Sequence, residues 1–320
     1  MNKLKVALTT TLLPEERKIM KYKLSALLVL ILFGAFVPAP SQATPPPSIV
    51  VIDTGTNIFQ KSIATEVCII ERYLCANGKN YMEGLGAATI PKSTNKALNH
   101  GSQMISVILA VNPDVKIIPI RIVGVTDSGS VDIYSLRPVK TALDWVIANA
   151  QKYNIAAVNI SQGSIQANCA VPDGMKEQVL ALKQLNIPVI AATGNLQNRK
   201  AVNSPACIND VVSVGATDNT TIDGRAAYDI NAVPTIARYS NGWNQTDFYL
   251  NGRWYVTNRD GSRTFTAGTS NATATLSAYW VLNLKSSFDE TYDFLLAKTI
   301  STNNQWLSGR YLSTGYISIL

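Results

Sequence analysis

The chain has 320 residues, of which 47% are hydrophobic and 15% are charged, so it can bury a full-sized core in one large α/β domain or two small ones. Its 28 Lys and Arg residues exceed its 21 Asp and Glu residues, which gives a net charge of +7. Much of this excess lies near the N-terminus and no basic tract follows it, so we expect no nucleic-acid partner.

The N-terminal region has the pattern of a secretory signal peptide. A basic start is followed by a short apolar run at residues 24–37 and by small residues that lead to Ala43. Because the apolar run is short for a membrane span, we predict a signal peptide over residues 1–43, with cleavage after Ala43, and no stable membrane span. Residues 1–19 add nothing to the pattern, and we suspect that Met20 is the true initiator.

Cleavage at this point would leave residues 44–320. No repeat and no internal linker interrupts them, so we expect them to form a single domain. The removed segment holds six Lys and Arg residues and two Asp and Glu residues, so the net charge would fall from +7 to about +3. The predicted location is secreted or periplasmic, and the sequence does not choose between the two.

All four cysteines lie in the exported part of the chain. An even number of cysteines in an oxidising compartment indicates two disulfides, among three ways of pairing. We favour Cys68–Cys75, a local clip on a long loop, and Cys169–Cys207, which would join two loops. Four buried free thiols are the alternative. No cluster of Cys and His has the spacing of a metal site, and the chain has a single His.

Five short, unbroken apolar runs have the pattern of parallel strands that are buried on both faces. They are residues 48–53, 115–123, 155–161, 187–193 and 210–216. Helical patterns lie between them at 135–153 and at 173–185, where Asp173 is the expected N-cap. Strands that alternate with helices predict an α/β fold with a mostly parallel central sheet and helices on both faces.

Two regions interrupt this alternation. Residues 56–99 are long, polar and weakly periodic, and residues 217–267 have the pattern of loops and an antiparallel ribbon. Ligands of open parallel sheets bind at the carboxyl ends of the strands, where such loops gather. We therefore look for the functional residues at that edge of the sheet.

Four polar residues are predicted to lie there. Asp53 ends the first strand, His100 precedes an apolar helix, Asn195 follows a strand, and Ser270 begins a helix. Each has an ordinary explanation by itself, as a turn, a polar helix terminus or a helix cap. Together they supply a carboxylate, an imidazole, an amide and a hydroxyl. Asp, His and Ser follow one another in one of the three chain orders known for Ser-His-Asp hydrolases.

At the motif level the chain resembles the subtilases, the subtilisin-like serine proteases of peptidase family S8. The resemblance covers residues 48–282, while the tail at 283–320 matches only loosely. The segments that resemble the family's motifs, in chain order, are VVIDTG (50–55), NHGSQMISVI (99–108), VNISQG (158–163), VIAATGN (189–195), SPACINDVVSVGATD (204–218) and AGTSNATA (267–274).

The resemblance implies a three-layer subtilisin-like fold and a secreted serine endopeptidase. Ser270 would be the nucleophile, His100 the general base and Asp53 the residue that orients the imidazole. Asn195 and the backbone N–H of Ser270 would form the oxyanion hole. The N-terminus of the helix at Ser270 would add its dipole to this site.

The same resemblance implies an extended peptide or unfolded protein as substrate, bound along one strand edge. Because no carboxylate is placed to select Lys or Arg, we expect an apolar or neutral residue before the scissile bond. The predicted substrate-binding residues are Ser161, Gln162, Gly163, Ala191, Ala192 and Thr193, with Leu196 at the rim of the pocket and Ser128 and Gly129 at the distant subsites.

The chain departs from the family pattern at three points. The proline of the family's serine motif is Ala274, and a second, non-catalytic histidine of its histidine motif is Gln103. Only residues 44–48 separate the predicted cleavage site from the first strand, so no propeptide is recognisable. The domain would fold unaided, or a separate protein would act as chaperone or inhibitor.

The expected protein needs no cofactor for catalysis and is a monomer. Structural calcium is common in the family, but the sequence assigns no ligands for it. The main alternative is a catalytically inactive protein with the subtilase fold that binds peptides or a partner. An esterase is a weaker alternative, because the chain has no G-x-S-x-G turn before a helix.

Overall fold

The structure is a computed structural model, which describes residues 45–126, 128–132, 135–218, 235–242, 246–303 and 308–312, with the backbone alone for 300–303 and 308–312. The predicted signal peptide and its cleavage site lie outside these residues. The strands are β1 (Ser48–Asp53), β2 (Val67–Ile69), β3 (Tyr81–Glu83), β4 (Lys116–Arg121), β5 (Gly124–Val125), β6 (Val131–Asp132), β7 (Ile155–Ile160), β8 (Val189–Ala192), β9 (Val212–Asp218), β10 (Thr235–Ile236), β11 (Phe248–Asn251), β12 (Arg253–Thr257), β13 (Arg263–Ala267), β14 (Thr299–Asn303) and β15 (Ser308–Leu312).

Five α-helices lie in the described part of the chain. They are α1 (His100–Val111), α2 (Arg137–Asn149), α3 (Met175–Gln184), α4 (Thr269–Leu282) and α5 (Phe288–Leu296). The predicted cap Asp173 is wrong, because the N-cap of α3 is Gly174, whose positive φ of 81° turns the chain into the helix without a side-chain cap. None of the described helices is long and apolar enough to cross a membrane.

The central sheet is mostly parallel, as predicted. Its strand order is β14-β15-β11-β9-β8-β7-β1-β4-β2-β3, and β10 pairs with β9 outside this order. The strands from β15 to β2 pair in parallel, whereas β3 and β14 pair antiparallel at the two edges. The five predicted apolar runs are confirmed as β1, β4, β7, β8 and β9. Strand β1 has the predicted bounds, β4, β7 and β8 are one to three residues shorter than their runs, and β9 is shifted by two residues toward the C-terminus.

Helices cover both faces of the sheet, and successive side chains of a strand pack into the two cores in turn because they point to opposite sides. In β1, Ile49 and Val51 pack into the core beneath α1 and α4, whereas Val50 and Ile52 pack into the core beneath α2 and α3. Both cores consist of buried hydrophobic side chains, most of them aliphatic. The architecture is therefore a three-layer α/β fold, and the predicted fold class is confirmed.

Two disulfides join the pairs favoured from the sequence. Cys68 is bonded to Cys75, and Cys169 is bonded to Cys207. The first bond closes the loop beside β2. The second connects two loops that also pair at Ser164 and Ser204, where the backbone N–H of Ser204 donates to the carbonyl of Ser164 at 2.9 Å.

Replacing both Cys169 and Cys207 by serine is expected to lower the free energy of unfolding by about 2–4 kcal/mol, because this bond closes a loop with a sequence separation of 38. The matched variant without Cys68 and Cys75 is expected to lose less, since its separation is only 7. Urea unfolding followed by circular dichroism measures both losses. An equal or larger loss for the shorter loop would contradict this account.

Candidate active site

A cleft of about 480 Å³ opens where β1, β7 and β8 end and where α1 and α4 begin. This is the carboxyl edge of the parallel strands, the place at which ligands of such sheets bind. The residues that line the cleft are Thr54, Lys96, Ala97, His100, Gln103, Val131, 161–165, Ala192, 194–196, Asn203, Thr269 and Ser270.

Asp53 and His100 are in direct contact at one side of the cleft. Asp53, the last residue of β1, is fully buried, and the side chain of His100, the first residue of α1, is 26% exposed. Nδ1 of His100 lies 2.8 Å from Oδ2 and 2.9 Å from Oδ1 of Asp53. The backbone N–H of Thr54 also donates to Oδ1, at 2.7 Å. A carboxylate held in this way favours the imidazole tautomer with its hydrogen on Nδ1.

The pKa of His100 is raised above its ordinary value. Burial of the ring acts against the charged imidazolium, but the negative charge of Asp53 and its hydrogen bond favour the charged form and together outweigh the burial. The neutral imidazole leaves Nε2 without a hydrogen, so this nitrogen can accept a proton.

Hydrogen bonds of Thr54 hold the turn after β1 in contact with the start of α1. Oγ1 of Thr54 accepts a hydrogen bond from the backbone N–H of Gly101 at 2.9 Å and donates to the carbonyl of Leu98 at 3.2 Å. The helix approaches so closely that a Cβ on Gly101 would lie 2.4 Å from the carbonyl oxygen of Gly55. The glycine that follows His100 is thus a packing requirement of the Asp53–His100 contact.

Ser270 lies in the first turn of α4 and does not cap it. The helix begins at Thr269, and its N-cap residue is Gly268, which has no side chain to accept a capping hydrogen bond. The hydroxyl of Ser270 donates to the carbonyl oxygen of Ser161 at 3.3 Å, and within the described residues no hydrogen bond joins it to His100. Its side chain is therefore available in the cleft, and the capping explanation of the serine is wrong.

Asn195 faces the start of α4 with its amide oxygen. Oδ1 accepts hydrogen bonds from the backbone N–H of Thr269 at 2.9 Å and from Oγ1 of Thr269 at 3.1 Å. These two donors fix the orientation of the amide, so its nitrogen Nδ2 points away from Thr269 and takes no part in these hydrogen bonds. No described residue accepts a hydrogen bond from Nδ2, and Asn195 is exposed in the cleft.

A model of the subtilase family matches residues 46–302, which is most of the chain. The chain belongs to the subtilase family. Subtilases are serine endopeptidases that need no cofactor for catalysis, so this chain is a peptide-bond hydrolase. The match continues past residue 282, where the sequence motifs end, and includes α5.

Solved structures of subtilisin-like proteases have the same fold. A cold-adapted subtilisin-like serine proteinase is 19% identical with a TM-score of 0.61, over 85% of this chain and 89% of that one. A protease of Pseudoalteromonas arctica is 18% identical with a TM-score of 0.60, over 81% and 84% of the two chains. A prenylagaramide maturation protease is 17% identical with a TM-score of 0.58, over 82% and 86%. At these identities the likeness concerns the fold.

Five of the nine residues that we predicted to bind substrate line the cleft of this subtilase. Ser161, Gln162 and Gly163 follow β7, Ala192 ends β8, and Leu196 is 70% exposed at the rim. Gly163 packs against the neighbouring loop, because a Cβ there would lie 2.3 Å from the carbonyl oxygen of Ser204. At this point the wall of the cleft is formed by the backbone at Gly163 in close contact with the backbone at Ser204.

The other four predicted residues do not line the cleft. Ala191 is fully buried because it points to the face of the sheet opposite to that of Ala192. Thr193 is fully buried, and its Oγ1 donates to the carbonyl of Asn241 at 2.9 Å. Ser128 and Gly129 lie in the turn before β6, where Val131 reaches the cleft in their place.

Lys96 and Asn203 are among the lining residues that were not found from the sequence. Lys96 is the only residue with a permanently charged side chain among those that line the cleft, and Asn203 faces it from the loop that precedes Cys207. Asn203 lies just before the segment 204–218 that carries the family resemblance, so its neighbourhood was a usable signal. Lys96 lies in a polar segment without periodicity, and no local pattern indicated that it would line the cleft.

Asn241 supports the loop that carries Asn195, and it too was not predicted. Its Oδ1 accepts hydrogen bonds from the backbone N–H groups of Leu196 and Asn198 at 2.9 and 3.0 Å. Its Nδ2 donates to the carbonyl of Thr193 at 2.9 Å. One buried amide thus satisfies three backbone groups of a loop that would otherwise lack partners.

No metal site emerges from the part of the chain that the structure describes. It contains no group of three or more His, Cys, Asp or Glu side chains that could hold a metal ion. The described residues therefore offer no carboxylate set that fits the structural calcium common in the family.

Proposed function

We propose that this subtilase is an exported endopeptidase in which Ser270 is the nucleophile, His100 the general base and Asp53 the residue that orients and stabilises the imidazolium. The observation that carries the proposal is the contact of 2.8 Å between His100 and Asp53 in the cleft that Ser270 also lines. A hydroxyl is a weak nucleophile at neutral pH and needs an adjacent base of this kind.

The proposed reaction begins when a peptide displaces the contact between Ser270 and the carbonyl of Ser161. Oγ of Ser270 then attacks the scissile carbonyl carbon while Nε2 of His100 takes its proton. Collapse of the tetrahedral intermediate breaks the C–N bond, and His100 gives the proton to the leaving amine. Water repeats the sequence on the acyl-enzyme and restores Ser270. Hydrogen bonds of free enzymes often tighten only with substrate, which agrees with the separation of Ser270 from His100.

The negative oxygen of the intermediate would be stabilised by Nδ2 of Asn195 and the backbone N–H of Ser270. The first is unpaired among the described residues and held by Thr269. The second belongs to the first turn of α4, whose N–H groups and dipole favour negative charge. Donors fixed before the reaction need no reorganisation as the charge develops.

The proposed substrate is an extended peptide or an unfolded protein that lies beside residues 161–163 as an added strand. Ala192, Gly163 and Asn203 would line the pocket for the side chain before the scissile bond. The described lining contains no carboxylate, and Lys96 is cationic, so a basic side chain finds no partner there. We therefore propose a preference for apolar or neutral residues.

Export of the protein remains part of the proposal. The predicted signal peptide at 1–43 and the two disulfides both suit an oxidising compartment, secreted or periplasmic. Residues 44–320 would form one monomeric domain. This domain would fold unaided, or a separate protein would act as its chaperone or inhibitor.

A peptide library and an unfolded protein, incubated with the exported protein, test this function. We expect cleavage after apolar or neutral residues that disappears in Ser270→Ala, and N-terminal peptide mapping is expected to find Thr44 as the first residue. Cleavage mainly after Lys or Arg would contradict the proposed pocket. Turnover of short esters without any turnover of peptides would favour the esterase alternative.

The dependence of kcat/KM on pH is expected to show a fall on the acidic side at a pKa above 6.5, the ordinary value for His100. The neutral imidazole is the base, and Asp53 favours its protonated form, so activity is lost as pH decreases through this raised pKa. In Asp53→Asn the fall is expected at lower pH, because the favourable charge is gone. A fall that does not move in Asp53→Asn would contradict the assignment of His100.

A further inference from the structure

Gln162 contacts both members of the Asp53–His100 pair. Its side chain is half-buried, and Nε2 lies 3.2 Å from Oδ1 of Asp53 and 3.1 Å from Nδ1 of His100. The sequence led us to expect a contact with substrate at this position. Instead, the amide reaches inward to the two residues that are proposed to activate Ser270.

The chemistry of the three groups decides which hydrogen bond forms. Nε2 of Gln162 can only donate, and in the tautomer that can deprotonate Ser270 the nitrogen Nδ1 of His100 also donates, to Asp53. Gln162 must then donate to Oδ1 of Asp53. The opposite orientation of the amide would place Oε1 against this carboxylate oxygen, two acceptors without a proton between them.

Resting on the function proposed above, we propose that Gln162 is a positioning residue, whose amide holds Oδ1 of Asp53 so that the carboxylate keeps its orientation toward His100. Asp53 then receives three donors, from Thr54, His100 and Gln162. A hydrogen bond to a carboxylate withdraws part of the charge that would otherwise act on the imidazolium. The amide therefore makes His100 less basic than Asp53 alone would.

The charged groups around His100 are few, which makes the effect measurable. Asp53 is in contact with the ring, and Lys96, on the segment just before α1, is the only permanently charged residue that lines the same cleft. Gln103 lines this cleft as well, but its Nε2 donates to Oδ1 of Asn258 at 2.8 Å and does not contact the pair. Gln103 is thus a matched control for Gln162.

Because the chain contains a single histidine, nuclear magnetic resonance can follow it directly. The exported protein, labelled with ¹⁵N-histidine and purified without a histidine tag, is titrated in a Ser270→Ala background that prevents self-digestion. We expect the pKa of His100 to rise in Gln162→Leu, because the lost hydrogen bond leaves more of the charge of Asp53 to act on the imidazolium, and to rise further in Gln162→Glu. Gln103→Leu is expected to leave it unchanged.

The same readout decides against the proposal if it is wrong. A titration of His100 that is unchanged in Gln162→Leu would overturn it and leave Gln162 as a contact for substrate, visible as a higher KM for peptides at unchanged kcat. The titration of His100 needs no turnover. A protein that cleaves nothing but shows the shifted titration would refute the proposed function alone, and the reverse pattern would refute only the role of Gln162.

Discussion

His100→Ala is expected to lower kcat for peptide cleavage on the order of 10⁶-fold, the loss seen when the base of a serine triad is removed. His100 is the only histidine of the chain, so no second imidazole can replace it. Among the neighbouring side chains in the cleft, the amides of Gln103 and Gln162 cannot accept the proton of Ser270 at neutral pH, and the ammonium group of Lys96 has no acceptor atom for it.

The measurement compares His100→Ala, Ser270→Ala and the double variant in one peptide assay. Residues that act as one unit are not additive, so the double variant is expected to be no slower than either single one. Thermal unfolding provides the control for the fold, because His100 is partly exposed and its loss leaves the helix start intact. A folded His100→Ala protein that keeps more than about 1% of the activity would contradict the proposed mechanism.

Asn195→Ala is expected to lower kcat by about 10²–10³-fold with little change in KM. The side chain of Asn195 is oriented by two hydrogen bonds from Thr269, so its Nδ2 is free to donate to the oxygen that becomes negative in the proposed intermediate. An interaction that forms only in the transition state changes kcat and not substrate binding.

The neighbouring variant Leu196→Ala is the matched control for Asn195→Ala. Leu196 is 70% exposed at the rim and has no donor, so its loss is expected to raise KM and to leave kcat nearly unchanged. Steady-state kinetics with one peptide separates the two cases. If Asn195→Ala raised KM at constant kcat, Asn195 would be a contact for substrate and the oxyanion hole would lie elsewhere.

The central sheet could be predicted from the sequence because its inner strands are buried on both faces. In β1 every position from Ile49 to Asp53 is buried, and in β4 every position from Ile117 to Arg121 is buried. Strands of this kind have sequences that are almost continuously apolar, so they can be recognised as apolar runs. Helices α2 and α3 were found by their period because each buries only one side. The edge strands lack such a signal, and β11 was not predicted although it lies in the main sheet beside β9.

The candidate site was predictable to the extent that chain order and strand ends determine it. Asp53, His100, Asn195 and Ser270 lie at ends of strands or helices, and the fold brings such ends to one edge. The direction of a side chain within a loop is decided by distant partners. Thr193 turns inward to Asn241, and Gln162 turns toward Asp53, which no local pattern in the sequence contains.

Labelling of the purified protein with a fluorophosphonate, followed by mapping of the modified peptide, tests the central claim most directly. The reagent needs an activated serine, so we predict one modified residue, Ser270, and no label in Ser270→Ala or His100→Ala. Absence of label from a protein that is shown to be folded, or label at another serine, would contradict the proposed triad.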